Sequence, residues 1–241
     1  LTAVLIRSPD FGGKAKSFDA IAALAKSGVR TVLDVDGAVA VVADTYWQAR
    51  QAASAVTIEW EKGPLSGVSS DALRDERHTL LETESGKNVE EKGEQSAASG
   101  DEVTALYDVP YLAHATMEPM NALAVVSPES IEIWTGNQSP DIALSAIADA
   151  TGYRREQIRI HNQMLGGGFG RRILSDYLVE AARVAQLSGF PIKVVWSRED
   201  DMRGDFYRPN SSVKMSATID NNVVTSLQAK VAAPSIMGQF V

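Results

Sequence analysis

The chain has 241 residues, 44% hydrophobic and 22% charged, enough for one large or two modest domains with apolar cores. Its formal net charge of -8 argues against non-specific nucleic-acid binding, and no apolar run approaches the ~20 residues that span a bilayer. With no cysteine it forms no disulfide or cysteine-zinc site and ligates no iron–sulfur cluster through thiolates.

Thr2 to Ser8 reads as a strand, followed by a turn at Asp10-Phe11-Gly12-Gly13. Phe18, Ile21, Ala22 and Ala25 share one helical face, which predicts a helix over 18–26 with Gly28 past its end. Two β-branched runs, 30–35 and 38–43, flank Asp36-Gly37, a hairpin signal. Asp44 or Thr45 is placed to cap a helix over 45–55, and a strand over 56–60 follows. Trp47 and Trp60 are expected in the core of this β-rich unit. A polar helix is predicted over 69–82, capped by Ser69 or Ser70, with His78 at the surface. Almost every residue of 83–100 is small or charged, as in a linker.

Strands are predicted over 102–109, 120–126 and 130–134, with a loop from Tyr111 to Pro119 between the first two. Pro140-Asp141 starts a helix that runs to Ala150 and stops at Gly152. A strand over 157–161, a glycine loop, a helix over 174–187, Gly189 and a strand over 192–196 complete an α/β pattern. Runs 212–218 and 223–231 around Asp220-Asn221-Asn222 read as a hairpin. Both ends fall at strand patterns and Leu1 is not a methionine, so a piece of a larger subunit is expected.

The most informative stretch is Gln163-Met164-Leu165-Gly166-Gly167-Gly168-Phe169-Gly170-Arg171-Arg172. Glycine reaches positive φ without strain and carries no side chain, so backbone N–H groups can converge on an anion there. A strand before it and a helix after it aim those amides at one point. It is not a P-loop, because G-x-x-x-x-G-K-[ST] is absent, and Arg171 stands where a dinucleotide fingerprint needs its last glycine. A tight turn without a ligand is the other reading.

Three further stretches bear on that choice: Pro110-Tyr111-Leu112-Ala113-His114-Ala115-Thr116-Met117-Glu118-Pro119, Trp134-Thr135-Gly136-Asn137-Gln138-Ser139-Pro140-Asp141 and Val195-Trp196-Ser197-Arg198-Glu199-Asp200-Asp201-Met202. With the glycine loop they resemble the molybdopterin-binding large subunit of the xanthine dehydrogenase and aldehyde oxidase family. The isoquinoline 1-oxidoreductase beta subunit and membrane-associated aldehyde dehydrogenase type is the nearest in look. The resemblance runs from Ala3 to Pro209. It implies a mixed α+β fold, with a small α/β hammerhead domain over 1–82, a linker over 83–100 and the first part of a molybdopterin-binding domain over 101–241.

By that resemblance Gln138 matches the glutamine that hydrogen-bonds an oxo ligand of molybdenum. Gly167, Gly168, Phe169 and Gly170 match the loop against the cofactor, and Arg171 would sit beside its dithiolene and phosphate region. The cofactor implied is molybdenum–molybdopterin, as the cytosine dinucleotide, and no residue here binds the metal directly. Xanthine dehydrogenases carry a glutamate where this chain has Ile173, which disfavours purines and suits an aldehyde or an N-heterocyclic aromatic. His114 and Glu118 would border that pocket. The family's catalytic base lies near the end of a much longer subunit, so no catalytic residue is assignable here. Partners implied are a [2Fe-2S] small subunit and a cytochrome c subunit. Periplasmic residence is favoured over cytoplasmic.

Other constellations compete. His114 and Glu118 have a metal-pair spacing if helical, but Pro110 and Pro119 bracket a loop. Arg198-Glu199-Asp200-Asp201 could be a carboxylate cation site, though an arginine–carboxylate turn is the simpler reading. The competing function is a non-catalytic binding or assembly domain that uses the glycine loop as a turn.

Overall fold

A computed structural model describes residues 1–93 and 100–235, so part of the expected linker, 94–99, lies outside the described residues. β1 spans Thr2–Ile6. After a turn in which Gly13 donates to the Asp10 carbonyl come β2, Lys14–Asp19, and α1, Ile21–Leu24. The helix expected over 18–26 is thus four residues long, and Phe18 sits in a strand opposite Ile58. That pairing is non-local, so helical spacing was a false cue. β3, Val29–Val35, and β4, Ala38–Ala43, are joined by Asp36 (φ 55°) and Gly37 (φ 94°), the double positive φ of a type I′ turn. α2, Tyr46–Ala53, is capped by Thr45, whose hydroxyl accepts from the Gln48 N–H. Its buried face is Ala49, Ala52 and Ala53, which leaves Trp47 on the opposite side, 65% exposed and outside the core. Trp60, in β5 (Thr57–Glu61), is half-buried.

α3, Ser70–Thr83, starts at Ser69, which accepts from the Ala72 N–H. Then follow β6, Asp101–Val109; β7, Asn121–Val126; β8, Ile131–Thr135; and α4, Pro140–Thr151, which Gly152 ends in the left-handed region. β9 is Ile158–Asn162, α5 is Asp176–Ser188 with Gly189 as its stop, and β10 is Ile192–Val195. α6, Arg198–Arg203, is a short helix in which Arg198 pairs with Asp201, the arginine–carboxylate contact expected there. Ser197 and Asp200 cap each other's backbone, a box in which aspartate takes the usual glutamate role. β11, Ser211–Asp220, and β12, Val223–Ala232, form the last hairpin, turned by Asn221 and Asn222 at positive φ.

The chain divides into two compact units, one of residues 1–66 and 113–206, the other of 67–112 and 207 onward. This is not the expected division at 82 and 100. The first unit carries a seven-stranded sheet in the order β3-β4-β1-β10-β7-β8-β9, with β1 parallel to β10 and β8 parallel to β9. The opening strand therefore shares one sheet with the strands after residue 120. Composition marks a polar stretch as a boundary but carries no trace of that long-range pairing. α4 and α5 pack on one face of this sheet through Ala143, Ile147, Leu178, Ala181, Ala182 and Ala185, against Ile131, Ile133, Ile192 and Val194. α2 packs beside Val4, Val41 and Ala43 in a second cluster. Alanine at the helix faces lets backbone approach the sheet, and each large aliphatic side chain so buried contributes about 1.5–3 kcal/mol.

The second unit is a sheet in the order β12-β11-β6 with α3 packed against it. The helix lies on the polar side. Arg77 donates to Ser212 at 3.0 Å, His78 pairs with Asp108 at 2.8 Å, and Lys214 pairs with Glu82 at 2.8 Å. His78, expected as a bare surface residue, therefore has an acidic partner. The opposite side carries Val103 and Tyr107 of β6, Val213 and Met215 of β11, and Leu227 and Val231 of β12, aligned by the strand register. Val103, Tyr107, Leu227 and Val231 are each more than half exposed.

Candidate functional site

Three loops of the first unit meet: 113–119 before β7, 136–139 between β8 and α4, and 163–175 between β9 and α5. β8 and β9 are parallel neighbours, so their C-terminal ends deliver the last two loops side by side. Asn137 and Asn162 lock them together. The Asn137 N–H donates to the Asn162 side chain at 2.8 Å, and the Asn162 amide donates back to the Asn137 carbonyl at 3.0 Å.

Arg172 is the hub. Its buried guanidinium donates to the carbonyls of Gly167 (2.9 Å), Gly136 (3.3 Å) and Glu118 (2.8 Å), and to the Glu118 carboxylate at 2.9 Å. One planar fork thus touches all three loops. Glu118 also accepts from the Gly166 N–H at 2.9 Å and from Asn121 at 2.9 Å. Burial alone would raise its carboxyl, but these hydrogen bonds and the Arg172 charge outweigh burial and hold it below its ordinary value. Tyr177 adds a hydroxyl bond to the Gly136 carbonyl at 2.7 Å.

Gln138 lies against the glycine loop. Its side-chain oxygen accepts from the Gly170 and Arg172 N–H groups, each at 3.2 Å. Two backbone donors fix which end of the amide is oxygen, so the NH₂ is the outward group, and it has no partner among the described residues. A Cβ on Gly168 would lie 2.5 Å from that amide oxygen, and one on Gly166 would lie 2.6 Å from the Glu118 Cβ. Gly167 and Gly170 sit at φ 102° and 94°, and Phe169 holds a positive φ of 54° with its ring 76% exposed. The N–H groups of Gly167, Gly168 and Phe169 donate to nothing among the described residues.

The Arg171 guanidinium is buried: it makes a two-pronged pair with Asp176 at 2.9 and 2.8 Å and lies 2.9 Å from Asp205. It also lies 5.4 Å from the Trp196 ring and 5.2 Å from that of Phe206. Burial opposes its charge, yet Asp176 and Asp205 outweigh burial and keep it protonated. Both arginines after the glycines are thus spent inside the protein, and any anion at this loop meets backbone N–H groups rather than a free cation there. Behind Trp196, Arg7 lies over the ring at 3.9 Å and pairs with Glu180, which accepts the indole N–H at 2.8 Å. Burial pushes the Glu180 carboxyl up despite Arg7.

His114 and Glu118 are not partners. His114 binds Asp205 through its N–H and Nδ1, while Glu118 faces Arg172, and no acid–histidine cluster able to hold a metal occurs among the described residues. Ile173 is half-buried in a 3₁₀ turn, its N–H on the Gly170 carbonyl. Asp201 is buried against Arg198, which also donates to the Thr116 carbonyl at 2.5 Å and so steadies the 113–119 loop. Sequence reasoning missed Arg172, Asn137, Asn162, Tyr177 and Asp205. Only Arg172 left a local trace, as the second cation after the glycines.

These features fit a bulky anionic cofactor: three unpaired backbone donors at Gly167, Gly168 and Phe169, and a neutral amide donor of fixed orientation. Comparison with known proteins agrees. The profile of the molybdopterin cofactor-binding domain matches residues 74–234. The chain is 29% identical to the isoquinoline 1-oxidoreductase beta subunit of Brevundimonas diminuta, over 100% of this chain and 32% of that protein. It is 32% identical to the aldehyde oxidoreductase molybdenum-binding subunit of Escherichia coli strain K12, over 70% of this chain and 23% of that one. The aldehyde oxidoreductase structure from Desulfovibrio desulfuricans superposes on 96% of the chain, with 31% of its own length covered, at TM-score 0.71 and 15% identity, a likeness of fold. The chain thus spans about a third or less of the length of these relatives.

Proposed function

This chain belongs to the molybdopterin cofactor-binding domain family, and from that premise we propose that its three loops hold the molybdenum cofactor of an oxidoreductase. The observation that carries the reading is the Gln138 amide, oriented by two backbone donors and left with its NH₂ unpaired beside the Gly167–Phe169 N–H groups. When bound, the cofactor supplies a metal that takes up the substrate's electrons. Gln138 then donates from Nε2 to a ligand of the metal and fixes its orientation without adding charge. The glycines let the pterin approach the backbone, and the exposed Phe169 ring excludes water at the mouth.

Ile173 places an aliphatic group where an acid would select purines, which favours an aldehyde or an N-heterocyclic aromatic substrate. Glu118 is tied to Arg172 and His114 to Asp205, where each holds a loop in place, and the resemblance puts the family's base near the end of a longer subunit. The base is therefore expected elsewhere in a longer subunit, and these 241 residues alone are expected to be inactive. The cytosine dinucleotide form, a [2Fe-2S] small subunit, a cytochrome c subunit and a periplasmic setting belong to the same reading. The partner subunits are supported by relatives whose names describe subunits, while the dinucleotide form and the setting rest on the family resemblance.

The test is molybdenum and pterin content of the protein produced under molybdate supply. The wild type should carry both, Gly168→Val should lose both, and Gln138→Ala should keep pterin while altering the metal's spectroscopic signature. A folded wild type without molybdenum or pterin would leave the loop as a ligand-free turn.

A further inference from the structure

We infer that Asp205 is a positioning residue for the candidate cofactor site: its buried carboxylate joins the 113–119 loop to the glycine loop and sets the depth of Gly168 to Arg171 beneath Gln138. The inference rests on the reading of those loops as the cofactor site.

The carboxylate is fully buried and reaches in two directions. Toward one loop it accepts from the His114 N–H at 2.5 Å and sits 3.0 and 3.1 Å from Nδ1. Toward the other it lies 2.9 Å from Arg171 Nε. The other acid on Arg171, Asp176, lies only five residues on, so that pair stiffens the loop against its own helix and ties it to no other loop. The contact to Nε is close but not aligned: the N–H does not point at the oxygen, and Nε has no geometric hydrogen bond. The attraction is therefore mainly charge to charge, and it depends on Asp205 being an anion rather than on its shape. Because Arg171 directly follows Gly170, whose N–H is bound by Gln138, a shift of Arg171 moves the loop's contact with that amide.

Asp205 also fixes the imidazole. A carboxylate beside Nδ1 and the His114 N–H selects the tautomer with its proton on Nδ1 and leaves Nε2 as the free nitrogen. A residue that only filled space would impose no such choice.

The test uses the full chain with Asp205→Asn, which keeps size and a carbonyl acceptor and removes the charge. With the fold retained by circular dichroism, cofactor retention should fall roughly 10- to 100-fold, the range for partners behind a ligand set. The His114 ¹⁵N signals should move from a pure Nδ1-protonated tautomer toward a mixture. Unchanged retention together with an unchanged His114 tautomer would overturn the inference while leaving the cofactor site standing. A wild type that binds no cofactor would instead remove the site itself. If Asp205→Asn does not fold, amide exchange in the wild type decides: a His114 N–H protected like the strand core supports the clamp, and one that exchanges like an exposed loop refutes it.

Discussion

A methionine in place of Arg172 would keep much of its length and lose every donor. Three carbonyls and one carboxylate at the meeting of the loops would then lack their common partner. Arg172→Met is expected to lower unfolding free energy by about 2–3 kcal/mol in urea titration. That is less than the ~3–5 kcal/mol of a fully buried pair, since Glu118 keeps solvent access. Glu118 gives the same junction a pH dependence. Its folded carboxyl titrates below the ordinary 4.5, so its stabilisation is complete above about 4.5 and is lost as pH falls through the lower folded value. Urea midpoints taken down to about pH 3 should drop less steeply for Glu118→Gln than for the wild type. Parallel acid limbs would show that Glu118 is not the group responsible. At this scale the sequence revealed residue types and not directions. Gln138 and the glycines were legible because their chemistry is local. The inward turn of Arg171, and the whole of Asp205, depend on partners from distant loops.

Elements whose ends carry their own turn chemistry were legible. Asp36-Gly37, Gly152, Gly189 and the Asn221-Asn222 turn all adopt the positive φ that their types favour. Elements defined by a remote partner were not: β2 exists because of β5, about forty residues on, and helical spacing concealed it. The β6–β11–β12 sheet shows the same limit. Its helix binds the polar side, while Val103, Tyr107, Leu227 and Val231 stand on the other side. An apolar sheet face that no described residue covers promotes self-association. Leu227→Thr together with Val231→Thr is expected to raise the soluble yield of the chain and shift its sedimentation toward monomer, with little change in unfolding midpoint. An unchanged sedimentation profile would count against this face as the sticky one.

At the scale of the whole molecule, both units are discontinuous, because the chain leaves the first after residue 66, returns at 113 and leaves again after 206. No cut in the polar stretch after α3 therefore yields two pieces that each hold a complete unit. The composition of 83–100 reads as a place to divide the protein, but the strand pairing says otherwise. The pairing of β1 with β10 bears on biosynthesis. Thr2 finds its neighbour Lys193 only after about four-fifths of these residues have been made, roughly 10–40 s later at ordinary elongation rates. Until then one side of β1 is an open edge. A nascent chain in this state is a natural client for a holding chaperone, and slowing translation should lengthen that dependence rather than relieve it.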